Sequence, residues 1–217
     1  MTIIKELTDD GSNTLYVPSL DEHYHSTKGA KTESKHIFIK EGLLHRNKNR
    51  IKVLEIGFGT GLNAYETLCA TNQFDLEVEF HTLELYPLNW ADVQDLEYSR
   101  SDEYKTLITS KWNKEYSITD RFKITKHHFD FTQLELFDKE ENFDVVYFDA
   151  FAPEKQPEMW SQELFNKLYV LLSMGGILTT YCAKGNVRRM LLACGFKVER
   201  IPGPPGGKRE ILRATKI

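Results

Sequence analysis

Leu54-Glu55-Ile56-Gly57-Phe58-Gly59-Thr60-Gly61-Leu62-Asn63 reads as the end of a strand, a glycine turn and the start of a helix. Ile51 to Ile56 is a short apolar strand, and Leu62 to Thr71 is helical in character. Glycines between the two permit a tight turn and let a ligand come close to the backbone. The first N–H groups of the following helix have no partner within it and carry partial positive charge. Strand, glycine turn and helix in this order form the opening unit of a βαβ fold with a ligand site at the turn.

Outward from this unit the alternation continues. Val78 to Leu85 and Phe122 to His127 read as strands, and Phe143 to Phe148 is a near-continuous apolar run, as in a strand buried on both faces. A break at Gly175-Gly176 precedes the strand Ile177 to Cys182. Helices are expected at Thr32 to Leu44, Pro87 to Trp112, Ser161 to Leu172 and Asn186 to Ala193. Two last strands, Lys197 to Ile201 and Glu210 to Thr215, flank the turn-forming IPGPPGGK and predict an antiparallel hairpin. The pattern predicts an α/β fold, a doubly wound, mostly parallel sheet with helices on both faces. Residues 1 to 45, polar and turn-rich at first, are expected to form an extension packed on a domain spanning residues 46 to 217.

A chain of 217 residues suffices for one well-buried domain of this kind. No apolar run approaches the roughly 18 residues of a membrane helix, and the N-terminus is not a signal peptide. Cys69, Cys182 and Cys194 are too few and too far apart for a disulfide framework or a zinc site. They are expected to be buried or half-buried free thiols, in a cytoplasmic protein. The formal charge of −4 does not suggest a nucleic-acid binder, but its distribution is uneven. From Tyr181 onward nine basic residues face Glu199 and Glu210, a net +7 against −11 for the rest.

The turn is spaced G-x-G-x-G, whereas a nicotinamide dinucleotide favours G-x-G-x-x-G. A pyrophosphate would bind at the latter; S-adenosylmethionine brings an amino-acid carboxylate instead. Gly57, Gly59 and Gly61, with Glu55 and Asn63 at the flanks, are the candidate cofactor segment. Glu84 lies 23 residues beyond Gly61, near the spacing of a ribose-binding acid. Asp130, after the third strand, suits an adenine amino group or the N-cap of a helix starting at Phe131, and the two roles are compatible. Asp149 ends the buried fourth strand, where such a strand opens into a ligand crevice. It is the candidate catalytic carboxylate and a cofactor contact.

The stretch VVYFDAFAPEKQPEMW, Val145 to Trp160, resembles the methyltransferase domain of MnmC-type tRNA-modifying enzymes. The likeness extends to GFGTGLN (Gly57 to Asn63), ELYPL (Glu84 to Leu88), GNVRRMLLACGF (Gly185 to Phe196) and GGKREIL (Gly206 to Leu212), with a weaker echo in ESKHIF (Glu33 to Phe38). It implies a class I S-adenosylmethionine-dependent methyltransferase, Rossmann-like, with a C-terminal antiparallel hairpin. It implies methylation of the exocyclic amine of 5-aminomethyl-2-thiouridine at the tRNA wobble position. The FAD-dependent oxidase half of the best-known members is not in this sequence, so the resemblance is to a stand-alone form, with no FAD and no metal.

On that reading Lys184, Arg188, Arg189, Lys208 and Arg209 are candidates for anticodon-stem phosphates. Phe151, Trp160 and Tyr181 are candidate stacking platforms for a loop base, although core positions suit them as well. Rival readings are a polyamine aminopropyltransferase, another small-molecule methyltransferase of the same fold, a nicotinamide oxidoreductase, and a non-catalytic cofactor-binding module. An aminopropyltransferase would need extra carboxylates around its polycationic substrate. An oxidoreductase would bring a substrate domain for which this length leaves no room.

Overall fold

The computed structural model describes residues 2–136, 142–207 and 209–217. Lys208 lies outside the described residues. Three short strands, β1 (Ile4–Leu7), β2 (Asn13–Val17) and β3 (Glu22–His23), make a small antiparallel sheet. Helix α1 (Ala30–Ser34) runs directly into a π-helix, Lys35–Leu43. The main unit follows as β4 (Arg50–Ile56), α2 (Leu62–Phe74), β5 (Glu77–Glu84), α3 (Trp90–Val93), α4 (Asp102–Thr109), β6 (Glu115–Thr119) and β7 (Phe122–His128). It closes with β8 (Phe143–Phe148), α5 (Gln162–Leu171), β9 (Leu172–Thr180), α6 (Gly185–Ala193), β10 (Phe196–Pro202) and β11 (Glu210–Lys216).

The eight-stranded sheet has the order β10-β11-β9-β8-β4-β5-β7-β6. Pairings among β9, β8, β4, β5 and β7 are parallel; β6, β11 and β10 join antiparallel. From β4 the chain first fills one side of the sheet, then returns to the other through β8. Strand order reverses between β4 and β8, and a doubly wound sheet opens its ligand crevice at that switch point.

Alternation along β4 divides the core. Val53 enters a cluster with Ile37, Phe38, Leu68, Phe80 and Tyr104. Leu54 and Ile56 enter the opposite cluster with Phe148, Phe165, Leu168 and Leu191. Burying each such side chain is worth about 1.5–3 kcal/mol. Leu15, Ala30 and Leu43 lie in the first cluster, so the N-terminal segment shares a core with the sheet.

The structure departs from the sequence reading at several elements. Pro87 to Trp112 is not one helix: α3, a 3₁₀ turn at Glu97–Arg100 and α4 follow one another. Asn89 and Ser101 each cap a new helix with the side chain, and Leu96 and Ser101 are extended, so the axis restarts. The Gly175-Gly176 pair does not break the fifth parallel strand. It lies inside β9, where the register to β8 shifts and Gly175 takes φ +70°. Strand β6 was not expected, because its residues are exposed or half-buried and carry no apolar alternation. Cys69 is exposed rather than buried, since it sits on the outer face of α2 between buried Leu68 and Ala70. No helix among the described residues is long and apolar enough to cross a membrane.

Candidate active site

A cleft of about 1250 Å³ opens where β4, β5, β7 and β8 end. Ligand pockets run to about 300–1,000 Å³, so it has room for a cofactor and part of a second reactant. Gly57, Gly59, Glu84, Asp130, Asp149 and Phe151 all line it. These residues are up to 94 positions apart in the chain, and the parallel strands bring them to one edge.

The turn is held by the acid opposite it. Gly59 N–H donates to one oxygen of Glu84 at 3.1 Å, and Tyr86 N–H to the other at 2.8 Å. Each oxygen keeps a lone pair for a ligand hydroxyl, in an orientation set before binding. Gly57 has φ +90°, and a Cβ there would lie 2.8 Å from the Asp149 carbonyl oxygen, so the two loops touch at this glycine. Gly59 was expected to be glycine so that a cofactor could approach. The reason differs: a Cβ would meet the Tyr24 ring at 2.8 Å, and φ is +50°.

Asp149 follows β8, and its side chain accepts from Asn63 Nδ2 at 2.7 Å. Asn63 Oδ1 in turn accepts from Ser34 Oγ at 2.6 Å. Asn63 is 2% exposed and does not line the cleft, so its amide faces Asp149 rather than a ligand. Glu55 is wholly buried, and neither of its oxygens has a hydrogen-bond partner among the described residues. Burial pushes its carboxyl well above the usual range, against the pull of Thr82 and Asn63 and with the push of Asp149 and Glu84. Glu55 lies beneath the turn, where burial favours its protonated form, and does not line the cleft. Gly61 is also buried, against Ile108, Phe58 and Leu107.

Asp130 accepts from both the N–H and the hydroxyl of Thr132, at 2.9 and 2.7 Å, and stays half-exposed at the cleft. The three candidate platforms separate. Phe151 is half-buried and meets Tyr24 edge to face at 5.2 Å. Tyr181 lines the cleft and donates to Ala150 O at 2.9 Å. Trp160 is 5% exposed, packs 4.7 Å from Phe148 and donates to Phe151 O. At that burial it is a core residue and offers no platform.

The basic candidates lie along the same edge of the sheet but do not line the cleft. Arg188 and Arg189 are the fourth and fifth residues of α6, and Arg209 precedes β11. Lys184 forms an ion pair with Glu154. Other charges of the tail are used in folding. Arg213, 8% exposed, pairs with Glu41 at 2.8 Å and Glu199 at 3.3 Å. Lys216 donates to the carbonyls of Val170 and Leu172.

One wall comes from the N-terminal segment and was missed by motif reading. Tyr24, His25 and Glu33 line the cleft. His25 Nε2 lies 2.8 Å from Thr60 Oγ1 in the glycine turn, and Glu33 accepts from Ser26 N–H at 3.0 Å. The ESKHIF block that begins at Glu33 was the available signal. Behind the turn, Lys126 is 1% exposed, donates to Ile108 O at 2.6 Å and faces the Trp112 ring at 4.9 Å. Burial lowers its ammonium to about 8. Among the described residues no group of three or more His, Cys, Asp or Glu is arranged to hold a metal.

Acids converge on the cleft from five places in the chain: Glu33, Glu84, Asp92, Asp130 and Asp149. Such a lining suits a nucleoside with free hydroxyls and a positively charged group nearby. The family model for S-adenosyl-L-methionine-dependent methyltransferases matches residues 99–217. The chain is 35% identical over 216 residues to the tRNA 5-methylaminomethyl-2-thiouridine biosynthesis bifunctional protein MnmC of Pseudomonas savastanoi pv. phaseolicola, covering 89% of this chain and 32% of that protein. It is 31% identical to the protein of the same name from Leptospira interrogans, covering 95% of this chain and 34% of that one. It thus spans about a third of the length of these curated relatives. The crystal structure of MNMC2 from Aquifex aeolicus superposes with a TM-score of 0.83 at 26% identity, covering 98% of this chain and 70% of that one. With a family model over more than half its length, a parallel sheet reversing at β4/β8 and a glycine turn bonded to Glu84, this chain belongs to the S-adenosyl-L-methionine-dependent methyltransferases.

Proposed function

We propose that the chain methylates the exocyclic amine of a 5-aminomethyl-(2-thio)uridine at the wobble position of tRNA. The observation that carries this reading is Asp149, a carboxylate at the end of a buried strand, opening into a cleft lined with further acids. An alkylammonium is drawn to such a place. The nucleoside is suggested by the names of the relatives. A tRNA substrate implies work in the cytoplasm.

S-adenosylmethionine supplies, when bound, a methyl group already activated by its positive sulfur. The residues present fit it. Glu84 has lone pairs free for ribose hydroxyls, Asp130 is half-exposed for an adenine amino group, and the acidic lining favours a sulfonium. The acceptor amine must lose a proton to be a nucleophile. Its reference pKa resembles that of lysine, about 10.4, so deprotonation near neutral pH costs about 4 kcal/mol. Asp149 orients the ammonium and takes that proton onto its carboxylate. Its charge also raises the amine's pKa, so orientation is the larger share of its effect. Arg188, Arg189 and Arg209, on the same edge, are placed to meet backbone phosphates.

The test is methyl transfer to tRNA bearing 5-aminomethyl-2-thiouridine, read by mass spectrometry of the digested nucleosides. Asp149→Asn should lower the rate by about 10²–10⁴-fold while cofactor affinity holds. Wild-type turnover in that variant would remove Asp149 from the mechanism. A second reading has one observation behind it: Glu33, Asp92 and Glu158 add carboxylates to the cleft, as a polycationic acceptor would need. Aminopropyl transfer to putrescine from decarboxylated S-adenosylmethionine, with no methylation of the tRNA, would put that reading in place of the first.

A further inference from the structure

We propose that Asn63 is a positioning residue for Asp149, and that Ser34 of the N-terminal segment holds the Asn63 amide in the orientation that does so. The inference rests on the reading of Asp149 as the group that handles the substrate amine.

Three side chains from distant parts of the chain form one line. Ser34 Oγ donates to Asn63 Oδ1 at 2.6 Å, and Asn63 Nδ2 donates to Asp149 Oδ2 at 2.7 Å. Ser34 is 1% and Asn63 2% exposed, so water has little access to replace either bond. A primary amide has a donor end and an acceptor end of nearly equal shape. Turned over, Asn63 would set its carbonyl oxygen against the carboxylate oxygen. The carboxylate, which only accepts, selects the NH₂ end, and Ser34 donates to the amide oxygen left on the far side and anchors the side chain there.

The need for that donor comes from Glu55. Two nearby carboxyl groups disfavour each other's ionisation, and burial pushes Glu55, the inner of the two, toward its protonated form. Asn63 stands by both, and its bond to Asp149 favours the charged form of the group that faces the cleft. Geometry supports the coupling. Asn63 is the second residue of α2, directly after the glycine turn, and Ser34 ends α1 at the point where the π-helix begins. π-Helical turns recur at functional sites, where they re-aim a few side chains. Here the N-terminal segment reaches the reacting carboxylate through a single amide.

The experiment measures kcat, KM for both substrates and the pH profile of kcat for Ser34→Ala, Asn63→Ala, their double variant and Asp149→Asn, with thermal melts of each. Asn63→Ala should lower kcat by about 10- to 100-fold, the worth of a hydrogen bond to a charged group. Its KM for S-adenosylmethionine should stay near wild type. The acidic limb of its profile should move to higher pH, because Asp149 has lost a donor to its ionised form. Ser34→Ala should move the same limb the same way by less, and removes one oxygen only, so it reads the network should Asn63→Ala fail to fold. In the double variant the Ser34 effect should vanish, since the amide it acts through is gone. Wild-type kcat and pH limb in both single variants, with Asp149→Asn impaired, would overturn the proposal and leave the reading of Asp149 intact. Additive effects in the double variant would overturn the role of Ser34. Full turnover in Asp149→Asn would overturn the reading of Asp149 and the proposal with it.

Discussion

Around the Gly57–Asn63 turn, acids bond to the backbone and to one another's neighbours while keeping lone pairs toward the cleft: Glu84 holds Gly59 and Tyr86, and Asn63 holds Asp149. In the tail from Tyr181 the opposite economy prevails. Arg213 is buried between Glu41 and Glu199, Lys216 bonds two carbonyls, Arg200 lies 3.6 Å from Glu210, and Lys184 is paired with Glu154. The turn is acidic and open to ligand; the tail is basic and half committed to folding. Charge counted along a chain is therefore not the charge a partner meets. What counts is capacity left over after internal pairing, and among the described candidates Arg188, Arg189 and Arg209 keep it.

The largest test of this contrast is Arg213→Ala. Glu41 is 8% exposed and would keep only the largely exposed Lys40, 3.2 Å away, so the loss should approach about 3–5 kcal/mol, the cost of breaking a buried pair. Urea unfolding should show that loss. An unfolding midpoint equal to wild type would return Arg213 to the partner-facing group. On the other side, Glu84→Ala should weaken S-adenosylmethionine binding by about 1–3 kcal/mol in calorimetry, with a far smaller change in stability. Unchanged affinity would mean that the acid only braces the turn.

Glu55→Gln separates ligand-facing acids from buried ones. A carboxyl whose pKa is raised by folding holds its proton in the native state. Its contribution to stability is complete below the ordinary carboxylate range and is lost as pH rises from there toward its folded pKa. The slope within that window reaches about 1.4 kcal/mol per pH unit. Unfolding free energies of wild type should therefore fall relative to Glu55→Gln as pH rises above about 4.5. Parallel curves would show Glu55 ionised and partnered. The smallest effect belongs to Arg188→Ala: the slope of log K against log salt for tRNA binding should drop by about 0.7–0.9, with cofactor binding untouched. A wild-type slope would move the RNA to another face.

Reading by motif succeeded where the placement of a residue depends on a short span. The turn after β4, the acids that end β5 and β8, and the alternation of strands with helices are all local patterns, and they predicted the sheet. It failed where neighbours decide. Trp160 and Phe151 look alike in sequence, yet one ring is 5% exposed in the core and the other borders the cleft. Arg188 and Arg213 are both arginines of one tail, and only the position of Glu41, 172 residues away from Arg213, tells them apart. Gly59 was legible as a glycine position, but the ring that requires it, Tyr24, lies 35 residues upstream.

By itself, then, the sequence determined the fold class, the place of the glycine turn and the identity of Asp149 and Glu84 as acids at strand ends. Backbone geometry and burial periodicity act over a few residues, and those features need nothing more. Only the tertiary structure decided which polar groups remain available. It closed the cleft with Tyr24, His25 and Glu33, buried Glu55 and Trp160, neutralised Arg213, and aligned Ser34, Asn63 and Asp149. Each of those outcomes is a contact between segments far apart in the chain, made when the two layers of helix close on the sheet. No local pattern records what will be on the other side.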